Sequence, residues 1–200
     1  MKTLRHYVLC LLLMFFTAAP LAAFELQDLE KTLQQPAAVQ GAFVQKRHLK
    51  SLPDPLISHG QFVLVPRKAL LWKMEKPFAN RLRVSARGVE QYSDATRRWV
   101  KGNQTANQVK LFLSLLGGDT AGLRDSFDIT LHGKAQDWRM VLHPRDALLQ
   151  QIFTRIELTG GQTVRSIVLY EKQGDRNEML FERVQLNPEL NAQDTDDLRF

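Results

Sequence analysis

The sequence predicts a mainly β fold (α+β) of about eleven antiparallel strands in a single domain, with helices at the start and in the middle. Three observations carry that expectation. Apolar and polar residues alternate along most of the chain, as where Leu82, Val84 and Ala86 interleave with Arg81, Arg83, Ser85 and Arg87. Gly, Pro, Asn and Asp recur at short intervals between these runs, which is hairpin punctuation. Only two stretches, 26–35 and 108–116, change to clear helical spacing.

Residues 1–23 read as a secretory signal peptide. Lys2 and Arg5 give a positive start, Val8 to Phe16 an apolar run, and Thr17 to Ala23 a small-residue exit. The run is shorter than the ~20 residues a bilayer span needs. The chain's one cysteine, Cys10, lies inside this run, so the exported domain, residues 24–200, is expected to hold neither disulfide nor thiolate metal site. The formal net charge of +6 is mildly basic. Export makes nucleic acid a poor partner and anionic membrane surfaces or phosphate-bearing cargo better ones.

The domain opens with a helix over 26–35, on which Leu26, Leu29 and Leu33 share a face, and Pro36 stops it. A strand follows over Val39–Leu49, with Phe43, Gln45 and Arg47 on one side. Residues 50–55, with two prolines, form a loop. The stretch from His59 to Pro77 organises the rest. It gives strands Gln61–Val65 and Ala69–Glu75, with Pro66-Arg67-Lys68 at the bend. In the second strand Leu70, Trp72 and Met74 share a face, opposite Leu71, Lys73 and Glu75. That apolar face is either a core surface packed on a helix or the wall of a cavity.

Arg87-Gly88 turns the chain into Val89–Ser93 and Arg98–Lys101. Gln108–Leu116 is then a short helix, apolar on nearly all sides, with Asn107 as its expected N-cap and Gly117 as its stop. A helix so apolar needs a cover, supplied either by ordinary burial or by service as a lid. Gly118–Ser126 suggests a second short helix or turn around Leu123. Strands resume at Phe127–His132, Trp138–His143, Ile152–Leu158, Val164–Glu171 and Met179–Leu186. Residues 187–200 show no period and are expected to form a loosely held tail.

Catalytic patterns do not emerge. There is no Gly-x-Ser-x-Gly elbow, phosphate loop, dinucleotide fingerprint or His-Glu-x-x-His. His48, His59, His132 and His143 fall singly near strand ends and turns, and no carboxylate pair stands out. The expectation is a non-enzymatic protein without cofactor or metal.

The segment Val39-Gln-Gly-Ala-Phe-Val-Gln-Lys after a short helix, the hairpin with Gly60, Trp72, Met74 and Pro77, and the run Leu82-Arg-Val-Ser-Ala-Arg-Gly-Val-Glu-Gln-Tyr together resemble the periplasmic outer-membrane lipoprotein carrier (LolA-like) family. The resemblance is most specific over residues 24–101. It implies an open, strongly curved antiparallel half-barrel with helices covering a hydrophobic concave face that shelters acyl chains. On that template the cargo cavity is lined by Phe43, Phe62, Leu64, Leu70, Trp72, Met74, Leu82 and Val84. The lid carries Leu111, Phe112, Leu115 and Leu116. The family locks its lid with an arginine that precedes a proline in the hairpin turn. Here Pro66 precedes Arg67, so the lock is either rebuilt from Arg67 or absent. The cargo is correspondingly a triacylated lipoprotein or another lipid, such as a glycolipid or polyene-lipid intermediate. By resemblance the partners are an acylated lipoprotein or lipid cargo, an inner-membrane ABC-type releasing complex and an outer-membrane acceptor. The protein would be a monomer in the Gram-negative periplasm. A periplasmic sensor or regulatory lipid-binding module on the same fold is the alternative, ahead of a secreted hydrolase.

Overall fold

The computed structural model describes residues 24–102 and 106–199; the side chains at 106–110 and 112 lie outside that description. The signal segment with Cys10, and the side chain of the expected lid residue Phe112, therefore fall outside the described residues.

The chain begins with α1 (Leu26–Gln34) and then lays down β1 (Val39–His48), β2 (Leu56–Val65), β3 (Ala69–Lys76), β4 (Asn80–Ser85), β5 (Gly88–Ser93) and β6 (Arg98–Lys101). Two helices, α2 (Ala106–Gly117) and α3 (Thr120–Arg124), carry it to β7 (Phe127–Lys134) and β8 (Asp137–Pro144). A short α4 (Ala147–Ile152) leads to β9 (Phe153–Gly160), β10 (Val164–Glu171), β11 (Arg176–Leu186) and α5 (Ala192–Asp197). All eleven strands form one antiparallel sheet in the order β6-β5-β4-β3-β2-β1-β11-β10-β9-β8-β7. It does not close, because β6 and β7 remain edges. The single non-sequential pairing is β1 with β11, which joins the two hairpin runs at the centre.

Register explains why one face is apolar. Val89, Val84, Leu70, Leu64 and Val39 are successive cross-strand partners over five strands. In the second run, Met140, Leu158, Ile167 and Met179 form the equivalent row. Because side chains alternate strictly between faces, each row lies wholly on one side. All nine residues are buried, and they belong to one core cluster with Leu29, Leu33, Leu115, Leu116 and Leu123 from the helices. The helices thus cover the concave face.

α1 starts with a capping box in which Asp28 Oδ2 accepts from the Glu25 N–H at 3.1 Å. α2 runs one residue further than expected. Gly118, rather than Gly117, takes the left-handed conformation (φ +68) that ends it, and Asn107 falls inside its first turn. A side chain at 118 would also strike Leu33 Cβ at 2.7 Å, so this glycine lets α2 end against α1.

Two expectations fail. The connection between the strands expected at Trp138–His143 and Ile152–Leu158 is more than the turn at Pro144–Asp146, because Asp146 accepts from the N–H groups of Leu148 and Leu149 and so caps α4, which takes in Ile152. The C-terminal tail is not loose. Asn187 donates its N–H to Ala38 O at 2.8 Å, and α5 follows, with Asn191 as N-cap, docked on the convex face. Its order comes from distant cations, which no local period reveals.

Candidate functional site

The apolar layer between sheet and helices is built around an aromatic floor. Phe43 stacks on Trp72 with centroids 3.7 Å apart and planes 19° from parallel, although β2 lies between their strands. Gly60 permits this. It is the β2 residue opposite Phe43, and a Cβ there would meet the Phe43 ring at 2.6 Å and Lys73 O at 2.1 Å. Phe62 and Phe181 add an edge-to-face pair at 5.2 Å.

The helices fill the hollow above this floor. Leu29, Leu33, Leu115, Leu116 and Leu123 project into it and are all buried. An apolar cavity of about 20 Å³ remains, bounded by Leu33, Leu64, Leu116, Val164 and Phe181. That space admits about one water. The three helices are also tied together at their polar edges. Gln34 Nε2 donates to Gly118 O at 3.0 Å, the Thr120 hydroxyl bonds Glu30, and Asp119 caps α3 through the Gly122 N–H at 3.0 Å.

Phe43, Phe62, Leu64, Leu70, Trp72 and Val84 are buried in this layer, and Met74 and Leu82 pack on it half-buried. Of the expected lid residues, Leu115 and Leu116 are buried and Leu111 is partly so. Arg67 is exposed in the β2–β3 turn with φ +62, and its side chain forms no hydrogen bond or ion pair with the described residues. Its backbone nevertheless adjoins the end of α2, with Arg67 N 3.5 Å from where a Gly117 Cβ would stand. The expectation that helices cover the concave face named roof residues only on α2; Leu29 and Leu33 of α1 and Leu123 of α3 complete it. The leucine spacing of α1 was visible, but its destination was not. Phe181 was missed, because a lone Phe in a β11 alternation gives no hint of the strand that β11 adjoins.

The titrating groups with a perturbed balance lie on the other side. On the convex face, burial alone would raise the pKa of Glu157, but hydrogen bonds from Arg155 at 2.6 Å and Arg139 at 2.8 Å hold it below the usual carboxylate range. The Glu157 bond in turn raises Arg155, whose guanidinium lies 3.6 Å from the Tyr170 ring centroid. Among the described residues no group of His, Cys, Asp and Glu could hold a metal ion, and no helix is long and apolar enough to cross a membrane.

An open antiparallel sheet with an apolar concave face under a helical roof defines a half-barrel binding fold. Within that class, the chain belongs to the outer membrane lipoprotein carrier protein LolA-like family, whose profile matches residues 18–187. Comparison with curated proteins returns no match. Among solved structures, the complex of Pseudomonas aeruginosa MucA/MucB is similar over 88% of this chain and 59% of that one, at 14% identity and TM-score 0.50. The LolA superfamily protein NE2245 from Nitrosomonas europaea aligns over 86% of this chain and 97% of its own, at 9% identity and TM-score 0.48. The chain thus spans about three fifths of the MucB chain. Identities this low speak for the fold alone.

Proposed function

We propose that the protein is a periplasmic carrier that shelters the acyl chains of a lipoprotein or lipid between its concave sheet face and the α1–α3 roof. It would pass that cargo from the inner toward the outer membrane. The observation that carries this reading is the nature of the roof. The apolar floor of Phe43, Phe62 and Trp72 is covered by flexible leucines, and almost no space is left between them. An acyl chain gains about 0.8 kcal/mol for each CH₂ removed from water, so it can repay displacement of those leucines. The same repacking lets the carrier release its cargo, since closure of the empty protein returns part of that energy. Leu, unlike a shaped polar pocket, imposes no specific fit.

Export through the residue 1–23 signal belongs to the reading, and N-terminal sequencing of periplasmic material should begin at or near Phe24. Mass spectrometry of protein purified without detergent should find a co-purified acylated molecule. Trp72→Glu should abolish its retention while circular dichroism still reports a folded sheet, because a carboxylate in an apolar site is heavily penalised. Retention of the same lipid by a folded Trp72→Glu protein would overturn the assignment of the floor.

The fold likeness to MucB, solved in complex with MucA, favours a second reading: a regulatory module that recognises a partner protein. A protein that binds no acyl chain but co-purifies with a single partner polypeptide in stoichiometric amount would favour it.

A further inference from the structure

The face that carries the aromatic floor does not stay apolar to its end. On β1, Phe43, Gln45 and Arg47 share one side, and an unbroken register places Met179 beside Gln45 and Asn177 beside Arg47. The cross-strand row through Arg47 reads Leu56, Arg47, Asn177, Leu169, Ile156 and Leu142, so two polar members interrupt four apolar ones. The roof leaves this end of β1 and β2 uncovered. Val39 and Leu64, under the helices, are 3% and 4% exposed, whereas Leu56 is 53% exposed and the Arg47 side chain 47%.

The polar side chains here hold hydrogen-bonding capacity in reserve. Gln45 Nε2 donates to Asn177 Oδ1 at 3.1 Å, which leaves Gln45 Oε1 and Asn177 Nδ2 without a partner among the described residues. The ion-pair partner of Arg47 among the described residues is Glu171 at 3.9 Å, beyond hydrogen-bond distance. Glu171 is itself engaged, its Oε2 accepting from Gln173 Nε2 at 2.8 Å. The guanidinium of Arg47 thus keeps its planar set of donors unspent. Most of the free valences are donors, so they suit a group rich in acceptor oxygens. Hydrogen-bond valence decides here, not net charge, because Glu171 partly offsets Arg47. A solvated arginine at a strand end would explain Arg47 alone. It would not explain a half-buried amide pair between that arginine and the floor.

We propose that Gln45, Asn177 and Arg47 recognise the polar end of a diacyl phospholipid. The acyl chains lie on the Phe43–Trp72 floor, an ester carbonyl meets the Gln45–Asn177 amide pair, and the phosphodiester accepts from Arg47. Positions 45 and 47 are about 7 Å apart along the strand, comparable to the glycerol link between an ester carbonyl and a phosphate. Arginine can grip a phosphate with two parallel N–H groups, which lysine cannot. Such recognition rests on the carrier reading and narrows its cargo to a phosphate-bearing lipid, held with its polar end away from the roof.

The test is calorimetric titration of the purified, delipidated protein with dioctanoylphosphatidylglycerol and with dioctanoylglycerol, each below its aggregation threshold. The parent should bind the phosphatidylglycerol at least about tenfold more tightly, because hydrogen bonds between charged groups are the strong ones. Arg47→Leu should bring that ratio near one, and Arg47→Lys should restore it only in part. Lys172→Leu removes an equal charge from the exposed β10–β11 turn and should keep the parent's ratio. Gln45→Leu with Asn177→Leu should weaken both ligands by a similar factor while the melting temperature stays close to the parent's. Equal affinity of the parent for the two ligands, a preference that survives Arg47→Leu, or one that Lys172→Leu abolishes as fully would overturn the proposal and leave the carrier reading standing. A parent that binds the apolar dye N-phenylnaphthylamine but neither lipid would likewise overturn the proposal alone. A parent that binds none of the three would overturn the carrier reading, and the proposal with it.

Discussion

The sheet is covered on both faces near β3, by opposite means. On the concave side, α1–α3 hold to Leu70, Trp72 and their neighbours through leucines, with polar bonds between the helices at their edges. On the convex side, α5 holds to the same strand by charge. Lys73 Nζ donates to both oxygens of Asp194 at 2.8 and 3.0 Å, and Arg81 donates to Asp197 at 3.2 Å. Arg83 reaches Asp197 O and Arg199 O at 3.3 and 2.9 Å, so the segment from Asp194 to Arg199 runs over Leu71, which is fully buried. Arg81 and Arg83 lie over the rings of Tyr92 and Trp99, at 3.6 and 4.6 Å from their centroids, which helps to hold both guanidinium groups in place for the α5 segment.

The difference teaches what each cover can do. Dispersion and apolar burial are non-directional, so a leucine roof can slide and repack over a guest. Carboxylates held at hydrogen-bond distance lose their partners once displaced, so an ionic strap stays or leaves as a unit. A movable roof and a fixed strap on one strand keep the floor rigid while its contents change.

The contrast can be tested, from the largest effect downward. Gly60→Val should cost more than about 4 kcal/mol or prevent folding, because neither Lys73 O nor the Phe43–Trp72 stack can yield to a side chain. Urea denaturation measures it, and stability like the parent's would refute the close-packed floor. Leu115→Ala should cost about 3 kcal/mol, the usual loss for a buried leucine, by the same amount at low and high salt. It should also speed hydrogen exchange in residues 111–117 more than in the sheet.

Asp194→Asn should cost about 1–2 kcal/mol and, unlike Leu115→Ala, should cost somewhat less at high salt, because Lys73 keeps 20% of its side-chain exposure while Asp194 keeps 2%. Exchange should quicken in 192–197 and remain unchanged under the roof. Loss of roof protection would show instead that the two covers are coupled.

The smallest effect is a pH dependence outside both covers. Glu157 is held below its ordinary pKa when folded, so it binds a proton more readily unfolded. Its contribution is present above the unfolded carboxylate pKa of about 4.3 and is lost as pH falls through the lower folded value. Glu157→Gln should therefore remove part of the stability decline below about pH 4.3 and cost below about 1 kcal/mol at neutral pH, since Arg155 and Arg139 are substantially exposed. An unchanged acid limb in the variant would assign the decline to other carboxylates. A further variant, Arg67→Leu, bears on the lock: faster exchange in α2 of the cargo-free protein would make Arg67 a latch, and identical protection would leave it a turn residue.

What the sequence determined by itself is the set of facts that depend on neighbours along the chain. Alternation over Leu70, Trp72 and Met74, turn residues at Pro66 and Gly88, and the leucine spacing of α1 established strands, bends and an apolar face, because backbone geometry repeats every two residues or about every 3.6. The tertiary structure alone decided how distant segments meet. Only there does β1 pair with β11 to bring Phe181 beside Phe62, Gly60 let Phe43 reach Trp72, and Lys73, Arg81 and Arg83 turn an aperiodic tail into a docked helix. A six-residue helix such as α5 has too few internal hydrogen bonds to form by itself. Its order depends on cations more than a hundred residues earlier in the chain, a long-range partnership that local periodicity cannot encode.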